Sequence, residues 1–439
     1  MKVMKFGGTS VGSASRICNV GELIKDSEPK VVVLSAMSGT TNTLVKISDS
    51  LYKGKRDEAL AVIEELDAKY AGVIADLFAT DEYRIKASEY VLGVMALLRS
   101  MVNEPFYTLQ EKIVLAQGEL MSTHFMHYHL LEIGVPNTLI PALDFMRVDK
   151  DGEPDYFYIR HNLAREIELR KAEDLIITQG FICRNNNGDV DNLKRGGSDY
   201  SAALIGQAIK ADEIQIWTDI DGFHNNDPRI VEHTKAIRKL SFDEAAELAY
   251  FGAKILHPST VSPAKMANIP VRLKNTMNPN DEGTLITHDS PVQSVKAVAA
   301  KDGITAIRIV STNMLLAYGF LRKVFEIFEK WKTPIDMIAT SEVSVSLTID
   351  DTTHLEQITE ELRKYGTMEV DQDMTIICLV GDFTSNQSAN IAKVMNAMVG
   401  IPIRMISYGG IDHNISFLVK SSEKIQALTL LNNNLLNVQ

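Results

Sequence analysis

The sequence predicts an α/β fold: a mostly parallel sheet covered by helices on both faces, followed by two smaller α/β repeats. Two observations carry this expectation. Short β-rich runs alternate with helical patterns through the first ~290 residues, which implies parallel strands joined by crossover helices. The last third then repeats one strand–helix–strand pattern twice.

In chain order, residues 1–6 and 30–36 read as strands. Between them Ile17, Val20, Leu23 and Ile24 fall on one face of a helix. A second amphipathic stretch runs through Leu60, Ile63, Leu66, Tyr70, Val73 and Leu77. Further β-like runs occupy 174–178, 213–217 and 269–273. Ser241 followed by Glu244 forms a capping-box pattern that starts a helix through Ala245, Leu248 and Phe251. In the repeat, Ile307–Val310 resembles Ile377–Val380, and each is followed by an amphipathic helix. Pro334–Ile338 is then nearly copied by Pro402–Ile406, and each leads to an alternating strand, 343–349 or 415–419, and a further helix. Two split-βαβ units of ~60–70 residues follow from this pattern. The second lacks its last strand, and the apolar run 295–300 is the candidate replacement.

Composition bounds the function. Hydrophobic residues make up 45% and charged residues 23%, the balance of a globular protein. Net charge is −12, which argues against nucleic acid and anionic membrane surfaces as partners. The start of the chain is charged where a signal peptide is apolar, and the apolar runs of the first half are short, so a cytoplasmic location is expected. Three scattered cysteines, Cys18, Cys183 and Cys378, give neither a disulfide framework nor zinc spacing. The closely spaced His124, His127 and His129 read as a helical surface cluster rather than a metal site.

Four segments carry chemistry. The first strand delivers Lys5 into Gly7–Gly8–Thr9–Ser10, where glycine amides form an anion-binding concavity and the lysine meets phosphate as a point charge. A tight strand–helix turn with an exposed lysine is the plain alternative. Ser35–Asn42 is a small, hydroxyl-rich loop entering a helix, and Gly118–Glu119 sets a carboxylate beside a glycine. Arg195–Gly196–Gly197–Ser198–Asp199 is a second glycine turn opening a helix, with both a guanidinium and a carboxylate. Taken singly, each also reads as a capped turn. P-loop and protein-kinase signatures are both missing from the sequence.

Together the strings KFGGTSVG (5–12), VVVLSAMSGTTN (31–42), GELMS (118–122), ITQGFI (177–182), RGGSDYSA (195–202), WTDIDG (217–222), DPR (227–229) and FGAKILHP (251–258) resemble the aspartokinase family. The resemblance spans essentially the whole chain. It implies a three-layer αβα amino-acid kinase fold over 1–290, then two ferredoxin-like βαββαβ ACT domains, 301–373 and 374–439. It also implies transfer of the ATP γ-phosphate, carried with Mg2+, to the β-carboxylate of L-aspartate. A carboxylate is ionised at neutral pH and needs no general base, so catalysis rests on alignment and charge neutralisation.

Carried over by motif, Lys5 and Asp199 are the catalytic pair. Ser35, Thr41, Glu119, Arg195 and Ser198 bind aspartate, with Glu119 on its ammonium and Arg195 on its α-carboxylate. The nucleotide falls to Lys5, Phe6, Gly7, Gly8, Thr218, Asp219, His224, Arg229, Lys254 and Ile255, with the amides of Gly7 and Gly8 donating to phosphate. His224 stands where the family commonly has tyrosine. No protein metal ligand is implied beyond the Mg2+ that ATP brings. The ACT repeats imply a homodimer or dimer of dimers and an amino-acid effector, lysine or else threonine. The implied effector residues are Met314, Ala317, Gly319, Phe320, Leu321, Asp336, Ser341, Glu342 and Val343. Asp336 of the first repeat is Arg404 in the second, so the first is expected to hold the ammonium-bearing effector. Leu316 and Ala317 stand where the lysine-sensitive branch is more polar. With no dinucleotide fingerprint, a monofunctional enzyme is expected. Two rivals stand beside this reading: a kinase of the same fold with another carboxylate or carbamate acceptor, and an inert amino-acid sensor.

Overall fold

The structure is a computed structural model that describes the chain apart from residues 194–195, 253–255, 257, 292–293, 312–313, 315–317, 385, 411 and 437–439, and the side chains of 258–260. Its elements, in chain order, begin with β1 (Lys2–Phe6), α1 (Ala14–Ile24), β2 (Lys30–Leu34), α2 (Thr40–Tyr52), α3 (Arg56–Leu77), α4 (Asp81–Met101) and α5 (Thr108–Glu132). There follow β3 (Thr138–Leu139), α6 (Tyr156–Leu169), β4 (Leu175–Gln179), β5 (Ile182–Arg184), β6 (Val190–Asn192), α7 (Gly197–Ile209) and β7 (Ile214–Thr218). Next come β8 (Lys239–Ser241), α8 (Phe242–Tyr250), α9 (Pro258–Ala267), β9 (Val271–Asn275) and β10 (Thr284–Thr287). The remainder is β11 (Val295–Val310), α10 (Phe320–Lys330), β12 (Ile338–Thr340), β13 (Ser344–Ile349), α11 (Leu355–Leu362), β14 (Thr367–Gly381), α12 (Ser388–Ala397), β15 (Ile403–Tyr408), β16 (Asn414–Lys420) and α13 (Lys424–Leu431).

The chain divides into two compact units. The first comprises 1–223, 238–242 and 255–290; the second comprises 224–237, 243–254 and 291–439. Two stretches from within the first ~290 residues therefore fold with the C-terminal unit.

The first unit is built on an eight-stranded sheet of order β3-β4-β2-β1-β7-β9-β10-β8. Every pairing is parallel except β9 with β10. β2 is buried along its whole length, as a central parallel strand covered on both faces must be. Met4, Phe6, Val32 and Leu34 share one core cluster with residues of α1–α5, while α7 packs on β1, β2 and β7 beside α6 and α9. In such a sheet the loops after the strands' carboxyl ends hold ligands, and β1, β2 and β4 all end beside one another.

The second unit is a six-stranded antiparallel sheet, β12-β13-β11-β14-β16-β15. β11 and β14 run along each other for most of their length, pairing Ala299 with Cys378 at one end and Ile307 with Val370 at the other, with register shifts between. The strand 295–300 is thus paired with the second repeat's first strand. Each repeat keeps its own core: Ile307, Val324, Phe328 and Leu347 in the first, Ile377, Val394, Phe417 and Leu428 in the second. Among the described residues no helix is long and apolar enough to cross a membrane.

The histidines depart from the surface cluster expected for them. His124 stacks on Tyr90 at 3.7 Å, His127 bonds Asn137 at 2.6 Å, and His129 is buried against α1 at Gly21. They lie on α5, which is enclosed by α1, α2, α4 and the sheet, so ring packing rather than solvent claims them.

Candidate active site

β1 buries Val3, Met4 and Phe6 and leaves Lys2 and Lys5 half-buried, and it places Lys5 one residue before its end. The side chain, 11% exposed, meets the Asp199 carboxylate at 2.6 Å; Asp199 is 13% exposed and sits in the first turn of α7. A cation near nucleotide phosphates is thereby anchored by a carboxylate on a helix N-terminus, itself a favourable place for negative charge. Around this pair lies a cleft of about 380 Å³. Lys5, Gly8, Ser35, Thr41, Glu119, Ser198 and Asp199, drawn from four separate stretches of chain, all line it.

Close approach of backbones makes the cleft possible. A Cβ on Gly8 would lie 2.8 Å from the Ala36 carbonyl oxygen, and one on Gly118 would lie 2.7 Å from the Ala36 Cβ. Only glycine leaves room at these two points for the loop after β2. That loop is tied to β1 by the Ser35 amide, which donates to Phe6 O at 3.1 Å, and by the Ser38 amide, which donates to Gly8 O at 3.1 Å.

Glu119 lies inside α5 and is almost fully buried. Burial pushes its carboxyl up to about 8, against the opposing effects of the Ala36 amide bonded to it and of Lys5 nearby. Its Oε2 has no partner among the described residues. A buried carboxylate oxygen left unpaired inside a cleft is suited to a ligand cation.

The other assigned residues make the following contacts. The Gly7 amide donates to Trp217 O at 3.2 Å, extending the β1–β7 ladder, so Gly8 is the glycine of the turn that lines the cleft. The Phe6 side chain is core, stacked on Trp217 at 5.6 Å, which leaves only its peptide for a nucleotide. Thr218, at the end of β7, donates to Asp219 Oδ1 at 3.1 Å and accepts from the Asp219 amide at 2.7 Å, a local turn in the first unit. His224 and Arg229 belong to the second unit. His224 bonds Thr234 at 2.9 Å, and the Arg229 guanidinium, 81% exposed, donates to Asp227 at 2.9 and 2.7 Å. Arg195, Lys254, Ile255 and Ala317 lie outside the described residues.

In the first C-terminal repeat, Gly319 precedes α10, Phe320 is buried in its first turn and Leu321 is exposed. Met314 packs on that repeat's core. Ser341, Glu342 and Val343 form the exposed turn between β12 and β13, where Ser341 bonds Ser344 at 2.7 Å. Asp336 is not the open acidic group the sequence suggested. Its side chain is 1% exposed, accepting from Tyr250 Oη at 2.6 Å and from Lys301 Nζ at 2.7 Å. Lys301 also meets Asp350 at 2.9 Å. Burial opposes the Lys301 charge, but its two carboxylates outweigh that and hold the ammonium above the ordinary lysine range.

Sequence reasoning left out Phe181, which lines the cleft at φ 67° just after β4. Its signals were its place in the ITQGFI string (177–182) and the rule that ligands gather after parallel strands.

The sequence model of the amino acid kinase family matches residues 1–275, and that of the ACT domain matches residues 377–435. The chain is 35% identical to the lysine-sensitive aspartokinase 3 of Escherichia coli K12, covering 99% of this chain and 98% of that one. It is likewise 35% identical to the chloroplastic aspartokinase 3 of Arabidopsis thaliana, over 96% of this chain and 79% of the relative. Among solved structures, E. coli aspartokinase III in complex with aspartate and ADP superposes with a TM-score of 0.86 at 33% identity, covering 100% of both chains. The same protein with lysine and aspartate gives 0.80 at 33% identity over 99% of each. The fold, the strings gathered in the cleft and these full-length relatives agree: the chain belongs to the aspartokinase family.

Proposed function

We propose that the cleft between Lys5, Glu119 and Asp199 is the site at which this aspartate kinase moves the ATP γ-phosphoryl group to the aspartate β-carboxylate. The observation that carries the assignment is the meeting of opposite demands in one cavity: an anchored cation at Lys5 and a buried, unpaired carboxylate oxygen at Glu119. Aspartate has one ammonium for Glu119, and its α-carboxylate is left for Arg195. The β-carboxylate is then the free nucleophile, already ionised.

In this reading Lys5 lies between acceptor and phosphate and balances charge on the transferring group, while Asp199 holds the lysine in place. Gly8 lets the phosphate approach the backbone. Thr41, Ser35 and Ser198 orient the acceptor through their hydroxyls. Asp219 and Thr218 flank the nucleotide end. For Mg2+ the fit is that of a substrate-borne ion. Among the described residues no group of three or more His, Cys, Asp or Glu is placed to hold a metal, and Mg2+ commonly keeps phosphate and water oxygens with one or two carboxylates. Asp199 is the carboxylate best placed to reach it, and the ion supplies neutralisation of phosphate charge.

We assign 1–290 to catalysis and 301–373 and 374–439 to regulation, the latter completed by 295–300. Lysine is the proposed inhibitor, held at Asp336 and the turn 341–343 of the first repeat, and a homodimer through the ACT repeats is the proposed assembly. The lysine complex of the E. coli relative supports lysine as the inhibitor. Free Cys18, Cys183 and Cys378 fit a reducing, cytoplasmic setting.

The assay is ATP, magnesium and aspartate with hydroxylamine trapping of the acyl phosphate. Hydroxamate forms with aspartate, and Lys5→Ala lowers kcat by about 100-fold or more, the scale of losing one preorganised electrostatic group. Product with glutamate but not aspartate would support the rival acceptor. No product with either would support the sensor.

A further inference from the structure

Lys69 stands directly behind the acceptor side of the cleft, although no motif marks it. It lies on α3, next to Tyr70, and its half-buried ammonium donates to Ser38 O at 2.8 Å and to Thr40 Oγ1 at 3.2 Å. A Cβ built on Gly39 would lie 3.9 Å from its Nζ, and Ser38 and Gly39 both line the cleft. Among the described residues no carboxylate pairs with this lysine. Burial alone acts on it, pulling its proton affinity below the ordinary lysine value. A half-buried cation with no counter-charge is a costly thing for a fold to keep.

The geometry gives it a purpose. Ser38 is held from both sides: its amide donates to Gly8 O at 3.1 Å, and its carbonyl accepts from Lys69 at 2.8 Å. Thr40, fully buried at the start of α2, is likewise clasped by two neighbours on α3, Lys69 Nζ and Tyr70 Oη, the latter at 3.1 Å. Lys69 therefore braces, from the α3 side, the turn that presents Ser35 and Thr41, while the Ser38 amide joins that turn to the glycine turn of β1. Its positive charge sits next to a cavity that must accept a dicarboxylate.

We propose that Lys69 is a positioning residue for the acceptor: it locks the Ser38–Thr41 turn and adds an uncompensated positive charge behind the cleft wall, favouring the acceptor carboxylates. This rests on the acceptor-side reading of the Ser35, Thr41 and Glu119 wall. Phosphoryl transfer itself does not pass through Lys69, so its loss is felt in aspartate binding rather than in the chemical step.

The test compares Lys69→Met and Lys69→Arg with Thr41→Val and Glu119→Gln in the full-length enzyme, using steady-state kinetics and thermal melts. Lys69→Met raises KM for aspartate about tenfold, the size of losing a charge-assisted hydrogen bond, with kcat and KM for ATP within about twofold. Lys69→Arg restores most of the loss, because it keeps the charge and a donor. If Thr41→Val and Glu119→Gln raise KM for aspartate while Lys69→Met does not, the inference about Lys69 fails alone. If none of the three moves it, the acceptor-side reading fails and takes the inference with it. A parallel fall in kcat, both affinities and melting temperature that arginine does not restore would reduce Lys69 to a structural prop.

Discussion

Glu119 keeps one oxygen without a partner among the described residues, and burial pushes its carboxyl up to about 8. In the empty enzyme it is mostly protonated near neutral pH, and pairing with an ammonium draws it toward the ionised form. Aspartate binding is therefore expected to release a proton between about pH 6 and 8. Calorimetry in buffers of different ionisation enthalpy measures this; binding enthalpy independent of the buffer would contradict it. The same residue shapes stability. Its folded value lies above the unfolded value of 4.5, so the stability lent by the neutral form is complete below 4.5 and lost as pH rises through about 8. Glu119→Gln should accordingly gain in melting temperature on the native enzyme above about pH 8, and lose aspartate affinity throughout. Glu119 was legible in the sequence as a residue beside a glycine, but its burial was not. α5 is buried on several faces and shows no amphipathic stripe for periodicity to find. Lys69 was legible only as a neighbour of Tyr70 in a helical pattern, because its acceptors are a carbonyl and a hydroxyl that the fold brings from ~30 positions away.

Elements with a strong pattern were read closely. The runs 174–178, 213–217 and 269–273 became Leu175–Gln179, Ile214–Thr218 and Val271–Asn275, since apolar, β-branched strands of a buried sheet announce themselves. β3, β8 and β10 were missed; they have only two to four residues, and edge positions relieve β3 and β8 of a full apolar run. The repeat gave β11 and β14 away through their copied strings, and the ladder between them explains why the second repeat, taken from 374 onward, is not self-contained. A fragment of 374–439 alone should remain unfolded by circular dichroism, because it lacks the 295–301 strand that pairs with Ile377 and Cys378. A cooperative melt of that fragment would contradict the shared ladder. In the first repeat, Lys301 occupies Asp336 as a ligand ammonium would. Lys301→Met should lower the lysine concentration for half-inhibition severalfold by removing this internal competitor. Unchanged or lost sensitivity, read with a melt to confirm folding, would remove that role.

At the scale of the molecule, the chain divides into two compact units with separate cores. The sequence marked that division by a change from strand–helix alternation to repeat, but not the return of 224–237 and 243–254 to the second unit. Such long-range pairings, like that of the Asn225 carbonyl with the Val298 amide, leave no local periodicity to read. Separate cores also predict separable functions: Lys5→Ala should lose turnover yet bind lysine with near-native affinity by calorimetry. The most direct measurement is a crystal structure of the enzyme with aspartate and an ATP analogue. The account predicts the aspartate ammonium on Glu119, with Lys5 lying between the β-carboxylate and the γ-phosphate beside Gly8. A well-ordered substrate pair bound away from Lys5 and Glu119 would contradict it.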